Sequence, residues 1–223
     1  MAIDFGGHRF EKEIILLNVR WKASYPLSYR DLEEMMAERG VTVDHTSIYR
    51  WVIKFTPFIE KAVRRAKRSI GTSWRLDETY IKVSGQWKYL YRAVDKDGKT
   101  IDFLLTARRD QKAAKRFLNK AVKLHVQPKI INIDKSGANA AAIRAFGQDG
   151  NSQIKMRQNK YPNNIVEQDH RGIKRLIKLS TGFKTFRTAR ITIGGIESMR
   201  MIKIRQVQAR GKTPAQNFYA LAG

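Results

Sequence analysis

The hydrophobic periodicity of this chain changes at Ser73, and this change constrains the fold more than any other feature. Before Ser73, apolar residues recur with the spacing of amphipathic helices, and after it they alternate, which predicts strands. Strands are predicted from Ser73, over Trp87–Asp95 and over Thr100–Thr106, and the Asp97-Gly98 pair between the last two is a strong hairpin signal. This succession predicts an antiparallel meander of three strands.

The elements after the meander predict a mixed sheet flanked by helices. They are a helix over Gln111–His125, a short and mostly apolar strand over Ile130–Ile133, a helix over Asn139–Phe146, a strand over Gln153–Gln158, a helix over Asn164–Leu179 and a helix over residues 188–205. This order is the ribonuclease-H-like α/β layout, with strands at the centre and helices on both sides. We therefore predict a ribonuclease-H-like catalytic domain preceded by an all-α domain.

The first part of the chain has the signals of successive short helices. Ser28 begins a capping-box pattern, and Gly40 follows the helix that Ser28 opens. Asp44 or Thr46 can cap the next helix, which we expect to end before Pro57. Two helices joined through a glycine turn predict a helix-turn-helix.

The second helix of this pair would present Ser47, Tyr49, Arg50 and Lys54 to solvent, where they could contact DNA. A plain helical hairpin has the same local pattern. The net charge of the chain, +24 from 44 basic and 20 acidic residues, shifts the interpretation toward a polyanion partner. Charge alone does not separate a ribosomal or chromatin-type binder from an enzyme that acts on DNA.

A basic run over residues 61–68, which includes Arg65, connects the two predicted domains. It is either a solvated linker helix or a segment that follows a phosphate backbone. We place the domain boundary near residue 70. This gives a helix-turn-helix region over residues 1–70 and a catalytic domain with a C-terminal helix over residues 71–223.

Several classes of protein are excluded by what the sequence lacks. There is no cysteine, which excludes disulfides, thiol catalysis and cysteine-based zinc sites. No apolar run approaches the roughly 20 residues that span a bilayer, and the first residues do not match a signal peptide. We expect a cytoplasmic protein, associated with the nucleoid through DNA and not with a membrane.

Three acids stand out in this basic chain. Asp77 and Asp134 lie on the first and fourth predicted strands, Asp134 at the strand end, and Glu167 opens a helix rich in Lys and Arg. Carboxylates brought together in this way suit a two-metal phosphodiester site, and magnesium prefers such hard oxygen ligands. Other acids are explained as exposed, strand-end or helix-surface charges: Glu78, Asp95, Asp102 and Asp169.

The helix that begins near Glu167 has a basic face. Arg171 at i+4 and Lys174 at i+7 share a face with Glu167, so one face would hold a metal ligand and two phosphate contacts. A generic basic surface helix is the alternative. His170 is expected to contact DNA or to have a structural role, because no second histidine lies at metal-ligand spacing.

Aromatic residues alternate along the second predicted strand at Trp87, Tyr89 and Tyr91. Alternation places all three on one face of the sheet. We interpret them as core residues, with base stacking as the weaker alternative.

Three long motifs resemble the transposases of the bacterial insertion-sequence family numbered six. They are LSYRDLEEMMAERGVTVDHTSIYRWV, WRLDETYIKVSGQWKYLYRAVDKDGKTIDFLL and NNIVEQDHRGIKR. The likeness extends from about residue 10 to about residue 205. It implies a DDE transposase whose catalytic and metal-binding triad is Asp77, Asp134 and Glu167. The spacing from Asp134 to Glu167 is slightly shorter than is usual in the family, which a shortened loop around residues 147–150 explains.

The resemblance also implies cofactors, partners and an outcome. It implies two Mg²⁺ ions, with Mn²⁺ as a substitute, and Asp77 bridging both while Asp134 and Glu167 each hold one. It implies binding to the terminal inverted repeats of the element and to target DNA by a homo-oligomer, at least a dimer. Strand transfer by such enzymes commonly produces cointegrates.

Two other functions fit parts of the sequence. The first is a DNA-binding protein derived from a transposase that no longer cuts, against which the presence of all three acids argues. The second is a tyrosine recombinase, whose nucleophile needs arginine and histidine clustered on helices. Because two of the three candidate acids, Asp77 and Asp134, lie on predicted strands here, we rank the recombinase low.

Overall fold

The computed structural model describes residues 3–133, 137–149, 154–158, 172, 175–177 and 183–223. Its contacts divide the chain into two compact units, one formed by Met1–Arg68 with Ile173–Gly223 and the other by Ser69–Gly172. The sequence had assigned the whole of residues 71–223 to the second domain. The C-terminal segment instead joins the first unit, because its helices pack against the N-terminal ones.

In chain order, the helices and strands are α1 (Lys12–Ser24), α2 (Tyr29–Ala37), α3 (His45–Arg65), β1 (Ser73–Val83), β2 (Gln86–Asp95), β3 (Thr100–Thr106), α4 (Gln111–Leu124), β4 (Ile130–Ile133), α5 (Gly137–Asp149), β5 (Lys155–Gln158), α6 (Phe186–Lys203) and α7 (Pro214–Ala222). The predicted helix over Asn164–Leu179 lies almost wholly outside the described residues. Among the described helices, none has the length and apolar character that crossing a membrane requires.

The caps predicted for the first helices are confirmed. Ser28 and Asp31 form a complete capping box at the start of α2. Gly40 has a φ of 72°, the left-handed conformation that suits glycine after a helix. Of the two candidates for the next cap, Asp44 is the N-cap of α3, and its carboxylate accepts the backbone N–H groups of residues 46 and 47.

The sequence predicted that this helix ends before Pro57. In the structure, α3 continues through Pro57 to Arg65. The apolar stripe of α3 continues beyond the proline with Ile59 and Val63, which are both buried. Pro57 itself is on the exposed side of the helix. Packing of the buried stripe therefore outweighs the loss of one backbone hydrogen bond at the proline.

Helix α6 packs closely against α3 within the first unit. A Cβ atom built on Gly194 would lie 2.5 Å from Oε2 of Glu60, and one built on Gly195 would lie 3.0 Å from Cγ2 of Thr56. The two glycines therefore allow the helix backbones to approach each other more closely than larger residues would.

The sequence contains a further helix signal that the prediction missed. Thr213 and Gln216 form a capping box at the start of α7, with Pro214 at its first position. Phe218 and Ala222 of α7 are buried in the core of the first unit. The motif was visible in the sequence, but a short C-terminal helix has too few periodic residues to stand out.

The second unit is built on a five-stranded sheet in the order β3-β2-β1-β4-β5. The three strands of the meander are antiparallel, whereas β4 pairs in parallel with both β1 and β5. Helices α4 and α5 pack on one face, where their apolar residues enclose Trp74, Leu76, Tyr91 and Ala93. This confirms the predicted ribonuclease-H-like fold, a mixed sheet with flanking helices.

Candidate active site and nucleic-acid interface

Asp77 lies in the middle of β1 and is half-buried. Its direct neighbour across the antiparallel pair is Arg92 of β2, which is only 1% exposed. Residues directly opposite in such a pair project from the same face, so the carboxylate has a buried cation one strand away. The backbone N–H of Glu78 donates to Oδ1 of Asp77 at 2.7 Å.

The strand that precedes Asp134 lies directly beside β1. Ser73, Trp74 and Arg75 pair in parallel with Ile130, Ile131 and Asn132, in that order. Strand β4 ends at Ile133, so Asp134 is the next residue of the chain.

Two of the predicted catalytic acids and three of the residues predicted to contact DNA lie outside the described residues. They are Asp134, Glu167, His170, Arg171 and Lys174. Within the part of the chain that the structure describes, no three histidine or acidic side chains come close enough together to hold a metal ion. The predicted convergence of the three acids therefore stays a prediction.

Glu78, the acid next to Asp77, has a structural role on the opposite face of the sheet. Its side chain is 5% exposed, and its Oε1 is 2.7 Å from Nε of Arg109. Tyr91, its direct neighbour on β2, is buried, and burial together with the charge of Glu78 raises the pKa of Tyr91 above its usual value. Glu78 is thus a buried, paired acid and not an exposed one.

Asp95 and Asp102 are also buried, so neither is an exposed charge, although Asp95 is the last residue of β2 and thus a strand-end acid, as the sequence suggested. The carboxylate of Asp95 accepts the backbone N–H groups of Gly71, Asp97 and Lys99, which holds the hairpin turn after β2. Asp102 is paired with Lys120 of α4 at 2.9 Å. These partners explain both acids through the fold, because a buried carboxylate requires hydrogen bonds or a counter-charge.

The exposed face of α3 contains most of the residues predicted to contact DNA. Tyr49, Arg50 and Lys54 are exposed, as predicted. Ser47 is different: it is half-buried, and its hydroxyl donates to Oδ2 of Asp44 at 2.7 Å, so it completes the helix cap. The hydrogen of this hydroxyl is therefore donated within the protein, and its oxygen keeps the capacity to accept a hydrogen bond.

The basic face continues along the second half of α3. Lys61 and Arg65 are exposed and fall on the same side of the helix as Arg50, at i+11 and i+15. With a rise of about 1.5 Å per residue, Arg50 and Arg65 are roughly 22 Å apart along the axis. Positive charge therefore extends over the length of the helix.

An open pocket of about 400 Å³ lies beside the end of this face. It is lined by Pro57, Glu60, Lys61, Arg64, Arg65 and Arg190. Glu60 pairs with Arg64 at 2.9 Å, so it offsets one of the four cations. Arg190, from the first part of α6, adds a positive charge beside α3. The sequence did not connect this charge with α3, because the two helices lie far apart in the chain.

A buried lysine lies beneath the start of α2. Lys22 is 2% exposed, donates to the carbonyl of Leu27, and lies 4.5 Å from the centre of the Tyr29 ring. Burial lowers the pKa of Lys22 to about 8, an effect that the charge of Asp31 partly opposes. Burial also raises the pKa of Tyr29.

The alternating aromatic residues of β2 do not all belong to the core. Tyr91 is 1% exposed and packs under α4, as predicted, whereas Trp87 is 60% exposed. The core prediction is wrong for Trp87, because the helices cover the sheet near Tyr91 and leave the turn end of the hairpin open.

Comparisons with known proteins identify related sequences over nearly the whole chain. A family model described as a DDE domain matches residues 71–206, and one described as the IS66 family of transposases matches residues 8–130. The transposase for insertion sequence-like element IS431mec of Staphylococcus aureus is 36% identical over 213 residues, which cover 92% of each chain. The Staphylococcus aureus transposase for insertion sequence element IS257 in transposon Tn4003 is 35% identical over the same share.

Solved structures also align with the chain. The catalytic core domain of the HTLV-2 integrase in complex with magnesium aligns with a TM-score of 0.48 and 16% identity, over 68% of this chain and 99% of that one. The catalytic core domain of the BIV integrase aligns with a TM-score of 0.46 and 14% identity, over 66% of this chain and 91% of that one.

Proposed function

Because the chain belongs to the DDE transposases of insertion sequences, we propose that it cleaves DNA at the ends of its own element and joins those ends to target DNA. DNA transposition by nucleotidyl transfer is the activity of this class of enzyme. The finer assignment, to the insertion-sequence family numbered six with cointegrates as products, rests on the sequence motifs.

The observation that carries the proposed site is the parallel register of β1 and β4. Arg75 pairs with Asn132, and each strand reaches its acid two residues later, at Asp77 and Asp134. If this register continued, the two carboxylates would be neighbours, as a metal site requires. Glu167 would supply the third carboxylate from the helix that follows β5 in the sequence.

Asp77 fits the role of a ligand for a hard cation. It is a carboxylate, it is half-buried and thus reachable, and neighbouring acids such as Glu78 are already paired elsewhere. Two divalent ions, Mg²⁺ or Mn²⁺, would supply activation of the attacking oxygen and stabilisation of the leaving oxygen. Asp77 would contact both ions, and Asp134 and Glu167 one each. The buried charge of Arg92 would reduce repulsion among the three carboxylates before ions bind.

For DNA binding, we propose that the two halves of α3 have different roles. Tyr49, Arg50 and Lys54 occupy the first turns, together with Ser47, which also caps the helix, and a helix-turn-helix inserts these turns into the major groove. Arg65, with Lys61 and Arg190 around the open pocket, would contact phosphates.

The basic residues after Glu167 extend this proposal to the reacting end of the DNA. Lys174, supported by Arg171, would hold the phosphate next to the cleaved bond, and His170 would contact DNA nearby. The enzyme would act as a homo-oligomer, at least a dimer, because two element ends must be joined to one target. The ligands would be the terminal inverted repeats and target DNA, encountered in the cytoplasm at the nucleoid.

The test is a strand-transfer reaction with a labelled element end. We expect Asp77→Asn to reduce cleavage to background in Mg²⁺ while the gel-shift affinity for the end is kept, because the change removes a negative charge that faces DNA. Asp97→Asn is the matched control, since it makes the same chemical change at an exposed acid in a hairpin turn. We expect it to cut like the wild type.

Two outcomes would contradict the proposal in different ways. Wild-type cleavage by Asp77→Asn would remove Asp77 from the site. Tight binding of the element end by the wild-type protein without any cleavage in Mg²⁺ or Mn²⁺ would favour a DNA-binding protein that has lost its catalytic activity.

A further inference from the structure

Three aromatic rings lie together on one face of the β1–β2 hairpin. Tyr80 is directly opposite Tyr89, with ring centres 5.4 Å apart, and Trp87 lies two residues along β2 on the same face, 6.4 Å from Tyr80. We call Tyr80, Trp87 and Tyr89 the aromatic platform. Asp77 is three residues before Tyr80 in β1, about 10 Å away and on the opposite face, so the platform is separate from the proposed metal site.

The fold does not explain the exposure of this platform. Helices α4 and α5 cover the same face of the sheet where Trp74 and Leu76 lie, but Trp87 is 60% exposed and Tyr80 is 48% exposed. Leaving such large rings in water forgoes the free energy that burial would provide. A cluster of exposed aromatic residues on one surface is typical of a binding site.

Two basic side chains lie beside the platform. Nζ of Lys82 lies 5.9 Å from the centre of the Trp87 ring, and Arg109 donates to the hydroxyl of Tyr80 at 3.3 Å. Glu78, the acid on the same face of β1, is buried and paired with Arg109. Exposed rings beside cations are complementary to a ligand that combines flat aromatic groups with negative charge.

We propose that the aromatic platform binds single-stranded DNA by stacking unpaired bases on Trp87 and Tyr80, with Lys82 and Arg109 near the phosphates. A duplex cannot bind in this way, because its base faces are already stacked on each other, whereas every unpaired base offers a face to an aromatic ring. This inference rests on the proposed function, since an enzyme that cuts and rejoins DNA strands encounters unpaired nucleotides beside the reacting bond.

Tryptophan fluorescence provides a direct readout on the full-length protein. Of the four tryptophans, Trp21, Trp51 and Trp74 are at most 8% exposed, whereas Trp87 is 60% exposed. We expect a short oligothymidylate to quench the wild-type fluorescence through Trp87. In Trp87→Phe the quenching should be lost, while the affinity measured by anisotropy of a labelled oligothymidylate stays within about threefold, because phenylalanine keeps a stacking face.

The affinity test compares single-stranded and duplex DNA of equal length. Loss of one stacking contact changes the dissociation constant by a factor of roughly 5 to 150, and we expect Trp87→Ala to weaken oligothymidylate binding about tenfold. Its affinity for the duplex should not change. Leu124→Ala is the matched control, because Leu124 is apolar, 55% exposed and in the same unit. It should leave both affinities unchanged.

Several results would overturn this inference. They are equal losses on single-stranded and duplex DNA in Trp87→Ala, an equal loss in Leu124→Ala, or quenching that persists in Trp87→Phe. Dissociation of an oligomer by Trp87→Ala in sedimentation experiments, with oligothymidylate affinity unchanged, would identify the platform as a contact between copies of the chain.

Failure of the proposed function would be distinguishable. Asp77→Asn tests cleavage, and it should bind oligothymidylate like the wild type. Wild-type cleavage by that variant would contradict the proposed catalytic site. It would not affect the oligothymidylate measurements, which test the platform independently.

Discussion

Replacing Gly194 by alanine should destabilise the protein, although the same change usually stabilises a helix. In an open helix position, alanine is favoured over glycine by about 1 kcal/mol. At Gly194, the added Cβ would lie 2.5 Å from Oε2 of Glu60 and 3.1 Å from its Cδ. Ordinary contact begins at 3.4 Å, so the carboxylate must retreat by about 0.9 Å.

The position of Glu60 makes this retreat costly. The Glu60 side chain is 9% exposed and is held 2.9 Å from Arg64. Overpacking of a buried site costs about 1–3 kcal/mol, and a weakened i,i+4 ion pair adds about 0.5 kcal/mol. After the gain in helix propensity is subtracted, we expect the free energy of unfolding to fall by about 0.5–2.5 kcal/mol, a drop in melting temperature of about 1–10 °C for a chain of this size.

Circular dichroism melts of four variants test this reasoning. Gly172→Ala is the control, because Gly172 is helical and exposed and no described residue lies within 4 Å of an added Cβ, so it should melt at or above the wild-type temperature. The double variant Gly194→Ala/Glu60→Ala should lose less stability than the sum of the losses in the two single variants. The reason is that the added Cβ no longer overlaps with the carboxylate of residue 60. If Gly194→Ala stabilises the protein as Gly172→Ala does, the close packing of α3 against α6 is refuted.

Three further predictions concern the first unit. Arg50→Ala should weaken binding to the element end more than binding to random duplex, whereas Arg65→Ala should weaken both alike and reduce the salt dependence of binding. Gel shifts measure both affinities. Equal losses of affinity in Arg50→Ala would show that α3 contacts DNA without sequence specificity. The pKa of Lys22 is lowered in the folded state to about 8 from 10.5. Above pH 8, therefore, the folded state loses a proton that the unfolded state keeps. The free energy of unfolding should rise by about 2 kcal/mol between pH 8 and pH 9.5. Urea titrations should show this rise in the wild type and its absence in Lys22→Met. Pro57→Ala should raise the free energy of unfolding by about 1–3 kcal/mol, and with it the melting temperature, because α3 regains a backbone hydrogen bond. A lower melting temperature would contradict this prediction.

The parts of the fold that depend on neighbouring residues were predictable. The hairpin turn at Asp97-Gly98 and strand β3 follow from local turn chemistry and alternation, and both are found where the pattern put them. The capping box at Ser28 is equally local, since its partners are three residues apart. Motifs of this kind also identified the family and suggested the acids, of which the structure describes Asp77.

Other features depended on residues far apart in the sequence. The burial of Ile59 and Val63 carries α3 through Pro57, and no local rule predicts that packing. The exposure of Trp87 depends on where α4 and α5 stop covering the sheet, because alternation assigns a face to a residue but does not say whether that face is covered.

The sequence by itself thus determined the strands of the meander, the first caps and the family, because each of these is encoded by motifs, spacing, caps and turns within short segments. Only the tertiary structure decided which charges are buried and which part of the chain joins which unit. Glu78 meets Arg109, and Arg190 joins the basic side of α3, through contacts between distant segments. The physical reason is that burial and ion pairing are properties of the assembled packing, whereas periodicity is a property of each segment alone.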